Sequence, residues 1–352
     1  MQSIKEIFMI KKNTGRQSGL DTFRFFGAGL IWFTHFVSLF APEWFEKWKE
    51  MPLFLVLYGL SGKLGVAILC VTLGYLAYIK GMKNEENAVS YMVKRYGYFV
   101  IAVFIYHLLA IAFGLSDFMN GCGNPVKFLI KISLTFNQIC NGLLWCLPAL
   151  LIGSVVSFVL GKYKAGIPEI LCIIAVFLVA GEVWVSVCLM GNLAYRITED
   201  ERSRKILGEW YVKPGMIILG WLLIKGEEST LTYFLYGLSA LLGLILVVNR
   251  EKKVKAKRSA VCKAFSFCTK SYFGLFLLQP LFYQTLAPKL MNTVFVSVPF
   301  MARFFLVFII ITILIILMTI PVNYVVNVLS GLLNLCVDKV SLLLKKLSGK
   351  FI

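Results

Sequence analysis

The run Arg303-Phe-Phe-Leu-Val-Phe-Ile-Ile-Ile-Thr-Ile-Leu-Ile-Ile-Leu-Met-Thr-Ile-Pro321 decides the class of fold. No charged residue follows Arg303 until Asp338. A helix rises about 1.5 Å per residue, so roughly 20 such residues cover a bilayer core of about 30 Å. Seven further segments have this character: 19–40, 53–79, 92–115, 143–161, 167–190, 230–248 and 264–287, with the quoted run forming 303–328. Two more are marginal, 125–140 with Lys127 and Lys131, and the short run 214–225. Across all 352 residues, 59% are hydrophobic and 15% charged. Soluble domains average about 45–50% and about 25%. The expectation is an all-α fold, a polytopic membrane helical bundle of about ten transmembrane helices. It is framed by a cytoplasmic segment 1–18, a transmembrane domain 19–330 and an amphipathic cytoplasmic helix 331–352.

The net charge of +18 arises from 36 Lys and Arg against 18 Asp and Glu. In a soluble chain this would suggest nucleic acid. Here the basic residues lie between apolar runs, as in Arg250-Glu-Lys-Lys-Val-Lys-Ala-Lys-Arg258, which is the bias of cytoplasmic loops. No nucleic-acid motif is present. Most cysteines, such as Cys70, Cys146, Cys172 and Cys188, sit inside apolar runs without metal-ligand spacing, so neither a metal site nor a disulfide framework is expected. The polar, basic stretch Met1 to Gly19 does not read as a cleavable signal. Lys5, Lys11, Lys12 and Arg16 place it in the cytoplasm, and ten crossings return the C-terminus to the same side.

Function in such a chain concentrates in the few polar residues that enter the membrane, because each costs a few kcal/mol or more to insert. The strongest group is Leu20-Asp21-Thr-Phe-Arg24 with His35. On a helix, Arg24 and His35 differ by roughly 20° of rotation and are separated by about 16 Å, and Asp21 lies within about 40° of the same face. Each has a bland explanation: an i, i+3 ion pair with Arg24 snorkelling, and an interhelical hydrogen bond for His35. The pattern also has a chemical reading. Arg24 would meet an anionic donor in the cytoplasm, with Asp21 holding it in place. A neutral imidazole deeper in the membrane would take a proton from an attacking hydroxyl.

These residues resemble the opening Leu-Asp-x-x-Arg element and Arg-x10-His pattern of the bacterial acyltransferase 3 family. The resemblance continues through Gly62-Lys-Leu-Gly-Val66 with Leu73-Gly74-Tyr75-Leu76, then Lys94-Arg95, Leu144-Trp145-Cys-Leu147, Leu219-Gly220 and Ser271-Tyr272 to Gln279-Pro280. It covers about 20 to 320. The family's Ser-Gly stands here as Leu73-Gly74, the second Arg of its Arg-x-x-Arg as Tyr98, its late His as Gln279, and the Glu some members carry as Leu150.

The resemblance implies an enzyme that moves an acyl group, by family habit acetyl, from cytoplasmic acyl-CoA to a hydroxyl of a sugar or cell-envelope glycan in the bacterial plasma membrane. Acetyl-CoA would be a substrate rather than a bound cofactor. Its phosphates would lie near Arg24 and Arg95, and Trp145 would pack against it. His35 would act as general base or as acyl relay. Tyr98 and Gln279 would offer hydrogen bonds where the family has charges.

Other residues have weaker claims. Glu182 falls in the middle of the segment 167–190 and is a candidate for pairing with Lys63 or Arg24, or for binding acceptor hydroxyls. Lys63 either snorkels or contributes to that acceptor site. His107 reads as a packed histidine, and the mixed charges of 191–213 as a solvated loop. Two other classes compete with the enzyme: a glycan or small-molecule transporter, and a non-catalytic acyltransferase relative. A transporter would favour paired, broken helices in matching halves, and no such repeat is visible. The orientation makes a direct prediction. A cysteine placed at Lys253 should react with an impermeant maleimide only after the cytoplasmic face is opened; labelling of intact cells would reverse the topology.

Overall fold

The computed structural model describes residues 18–40, 52–83, 86–115, 124–136, 146–201, 209–225, 229–253 and 272–348. The described chain is all-helical. Its helices are α1 (Ser18–Phe40), α2 (Pro52–Met82), α3 (Ala88–Ala112), α4 (Pro125–Leu134), α5 (Leu147–Lys162), α6 (Ile167–Val179), α7 (Val183–Glu199), α8 (Glu209–Lys225), α9 (Thr230–Lys253), α10 (Tyr272–Lys289) and α11 (Phe300–Ser348). Four stretches are long and apolar enough to cross a membrane: Gly62–Met82, Ala88–Ala112, Thr230–Arg250 and Ala302–Val340.

Helix α2 is the central element, in extensive contact with α1, α5 and α7. Its contacts are made through glycines. A Cβ on Gly74 would fall 1.8 Å from the Cys188 carbonyl oxygen, and one on Gly81 would fall 2.1 Å from that of Phe158. Gly161 of α5 and Gly191 of α7 are equally close to the backbone of α2, at the carbonyls of Tyr78 and Val71. Gly65 meets the Gly27 carbonyl of α1 at 2.5 Å by the same measure. Small residues at helix contacts let backbones approach, which is how helices associate when the solvent is itself apolar.

The same contacts fix direction. Gly27 faces Gly65 and Ile68, Ile31 faces Gly65, and Thr34 faces Gly62, so α1 and α2 are antiparallel. Gly191 faces Val71 and Tyr75, and the Tyr78 ring lies 5.4 Å from that of Tyr195, so α7 runs parallel to α2. One end of the bundle therefore holds Asp21, Tyr78, the α2–α3 joint and the end of α5. The other holds His35, Lys63 and the start of α7.

The segment 167–190, expected to be one crossing, is instead a helical hairpin. α6 ends at Val179, Gly181 turns at φ +81°, and α7 starts at Val183. The Glu182 N–H donates to the Phe177 carbonyl and the Gly181 N–H to that of Leu178, a Schellman closure that only a left-handed residue permits. Ser186 Oγ then donates back across the hairpin to the Ile174 carbonyl at 3.1 Å. The run Val-Ala-Gly-Glu is apolar enough to look continuous, but glycine at that position made the reversal available.

The expected solvated loop 191–213 is also corrected at its start. Residues up to Glu199 belong to α7, and Asn192 and Ala194 are fully buried. Arg196 explains why. Its Nε donates to Tyr78 Oη at 2.7 Å and to the Ala165 carbonyl at 2.9 Å, and its Nη2 to the Lys164 carbonyl. Lys164 takes a left-handed φ of 53° to close α5, and Arg196 caps the carbonyls exposed by that turn.

Helix α4 has 10 residues, about half a bilayer core in length. Helix α11 runs 49 residues without a break at 331, so the segment expected to lie on the membrane surface continues the last helix. Asp338 on that extension pairs with Lys94 of α3 at 2.6 Å.

Gly74→Val should destabilise the bundle by about 1–3 kcal/mol, because the new side chain meets backbone rather than a movable side chain. Gly220→Ala, where nothing lies within 4 Å of the added Cβ, should be neutral or gain up to about 1 kcal/mol. Unfolding midpoints in detergent measure both.

Candidate functional site

Helix α1 carries the first part of the site. Asp21 is 4% exposed and lies in the first turn, where a carboxylate is favoured by the helix dipole. Arg24 Nη1 stands 3.6 Å from its Oδ1, one turn along. At the other end of the same helix, the His35 side chain lies beside the side chain of Gln279 on α10. Gln279 itself is buried.

Aromatic rings pack the neighbouring positions of α1, α10 and α11 together. The Tyr283 hydroxyl, one turn beyond Gln279, donates to the Trp32 carbonyl at 3.1 Å. Phe36 packs against Tyr283, Phe304 and Phe308 with ring centroids 5.3, 4.9 and 5.1 Å apart. Trp32 lies 5.8 Å from Phe308. Helices α1, α10 and α11 are held together here. Buried polar atoms in this region without a hydrogen-bond partner among the described residues include His35 Nδ1 and Trp32 Nε1. A buried polar atom without a partner costs about 1–3 kcal/mol, so both atoms suit a guest with hydrogen-bonding groups of its own.

Lys63 and Tyr233 lie at the same end. Lys63 Nζ is 3.5 Å from Tyr233 Oη and 4.9 Å from the ring centroid. Trp184 of α7 packs on Tyr233 at 5.5 Å. Glu182 is an exposed turn residue before α7 rather than a carboxylate within a crossing. Its end of the bundle is that of Lys63 and opposite to that of Arg24, so the pairing with Arg24 weighed from sequence does not fit this register.

Arg95 and Tyr98 lie on α3, which packs on α11, α5, α10 and α4. The Arg95 guanidinium sits 4.9 Å from the Phe99 ring centroid and 5.9 Å from that of Tyr98. Its Nε is buried without a partner among the described residues. The neighbouring Lys94 belongs to an ionic chain: Glu86 pairs with Lys80 at 2.6 Å and with Lys94 at 2.7 Å, and Lys94 continues to Asp338. Burial alone would raise the Glu86 carboxyl, but hydrogen bonds and charge from Lys80 and Lys94 outweigh it and hold the group below its ordinary range. His107 packs edge-on to Tyr106 and Phe128. Trp145 lies outside the described residues.

The structure thus joins His35 to Gln279 and Asp21 to Arg24, and it places Arg95 with Tyr98. It separates Glu182 from Arg24. Sequence reading missed Trp32, Tyr283 and Arg196. The first two carried a usable signal, since Trp32 is three residues from His35 and Tyr283 four from Gln279, each one helical turn away. Arg196 carried none, because its partners are carbonyls of a turn.

Comparison with known proteins finds no relative: no family model matches the chain, and neither a curated protein nor a solved structure does.

Gln279→Leu should destabilise the fold by about 1–3 kcal/mol, since it takes from the buried imidazole a polar neighbour. Gln279→His should recover most of that loss. Thermal unfolding in detergent of the two variants side by side measures the difference.

Proposed function

We propose that the chain is an integral membrane acyltransferase, which transfers an acyl group, acetyl by preference, from cytoplasmic acyl-CoA to a hydroxyl of a sugar or cell-surface glycan in the bacterial plasma membrane. The observation that carries this reading is the approach of the His35 side chain on α1 to that of Gln279 on α10. It pairs the histidine of the opening element with the position of the late histidine in the acyltransferase 3 resemblance. Arg24 and Asp21 stand on the same helix toward the opposite end.

In this reading α1, α2, α3 and α5 to α11 make ten crossings, with α4 entering only part of the way and both termini in the cytoplasm. The donor's phosphates lie at the Arg24 end, assisted by Arg95. Trp145 packs against the donor, while Lys63, Glu182, Gln279 and Tyr98 serve the acceptor. Gln279 orients the imidazole through one nitrogen, and Nδ1 faces the reaction. Acting as base, His35 takes the hydroxyl proton as the acceptor oxygen attacks the thioester carbonyl. The C–S bond breaks, and CoA leaves as a thiolate that recovers the proton. Acting as relay, His35 accepts the acyl group first and passes it to the hydroxyl.

Purified wild type supplied with acetyl-CoA and a glycan acceptor should release CoA, and His35→Ala should lower that rate by about 100-fold or more. Equal rates would remove the catalytic role from His35. Absence of acyl transfer together with glycan movement across proteoliposomes would favour a transporter. Trapping a labelled acyl-histidine by acid quench would select the relay over the base.

A further inference from the structure

An apolar groove of about 400 Å³ lies between α3 and α5, away from the His35 site. Met92, Val93 and Tyr96 form one wall, and Ile152, Val155 and Val156 the other. Met92, Val93 and Ile152 are 46%, 39% and 44% exposed, and α3 is one of the helices apolar enough to cross a membrane. The volume falls within the roughly 300–1,000 Å³ range of ligand clefts, but the walls carry no polar group to orient a polar ligand.

The groove ends against a basic rim. Val155 packs on a small cluster of Ala77, Tyr91 and Phe158, in which Tyr91 stacks on Phe158 at 4.0 Å. Lys80 Nζ lies 4.8 Å from the Tyr91 ring centroid. Lys162, at the end of α5, donates to the Glu86 carbonyl at 3.2 Å. Lys83 and Lys164 are exposed at the neighbouring helix ends. Of the five lysines here (80, 83, 94, 162 and 164), Lys80 and Lys94 pair with Glu86 and Asp338, and the other three make no ion pair among the described residues. An apolar slot that opens beside an excess of positive charge, at the end of a membrane-crossing helix, matches one molecule in chemistry and orientation. That molecule has a hydrocarbon chain attached to a phosphate.

We propose that the α3–α5 groove is a binding site for an anionic glycerophospholipid of the surrounding bilayer, with one acyl chain between Met92 and Val156 and its phosphate at Lys83 and Lys162. Charge complementarity selects the anionic headgroup, since each basic residue near the surface adds to the attraction. The neutral lipid lacks that term, and a second copy of the chain would bring the same cations into contact with one another. The bound lipid would brace α5 against α3 at a place where their side chains leave space.

Wild type would be exchanged into mixed micelles of phosphatidylglycerol and phosphatidylcholine and the retained lipid measured by native mass spectrometry. One phosphatidylglycerol should be retained with a preference of about tenfold. Ile152→Trp, which fills the slot from its exposed side, should abolish retention. Lys83→Ala with Lys162→Ala should keep a lipid but lose the preference. A phosphatidylglycerol carrying a photoreactive acyl chain provides a measurement on unaltered protein, and its adducts should concentrate on 92–96 and 151–156. Adducts spread evenly over the exposed face of α11, or equal retention of the two lipids by wild type, would overturn the proposal.

Discussion

Helices surrounded by lipid gain little from burying apolar side chains on one another, because the lipid is apolar too, and so they must win by close contact. In this protein that contact is backbone against backbone at α2. Gly74 and Gly81 on α2, Gly161 on α5 and Gly191 on α7 leave no room for a β-carbon. The directions of α1, α5 and α7 follow from where these glycines fall, and with them the sorting of polar residues to the two ends of the bundle.

Once those directions are set, the two ends acquire different chemistry. One end gathers most of the ionic contacts. Asp21 holds Arg24, Arg196 closes the turn after α5, and the chain from Lys80 through Glu86 and Lys94 to Asp338 ties the α2–α3 joint to the extension of α11. Away from that end the core is aromatic and sparsely polar. There His35 faces Gln279, and Phe36 is packed against three rings from α10 and α11.

Much of the helical content was legible from sequence because apolar runs longer than a bilayer is thick have few alternatives to helix. The pairing of Asp21 with Arg24 was legible for a local reason, since residues three apart share a helix face. The division of 167–190 was not. A single glycine does not by itself end an apolar run, and what ends this one is the packing of α7 beside α2, which gives the reversal at Gly181 a partner to return to. Arg196 looked like a loop charge for a similar reason: its three acceptors are backbone carbonyls and a tyrosine hydroxyl brought close by folding.

Sequence by itself determined the solvent of this protein, its all-helical class and the face of α1 that carries Asp21, Arg24 and His35. These depend on composition and on the 3.6-residue period, both of which are local. Only the tertiary structure decided that His35 meets Gln279, that Glu182 sits at an exposed turn away from Arg24, and that an apolar groove stands beside a basic rim. Each joins residues of different helices, and their meeting depends on crossing points set by glycine contacts that no local pattern encodes.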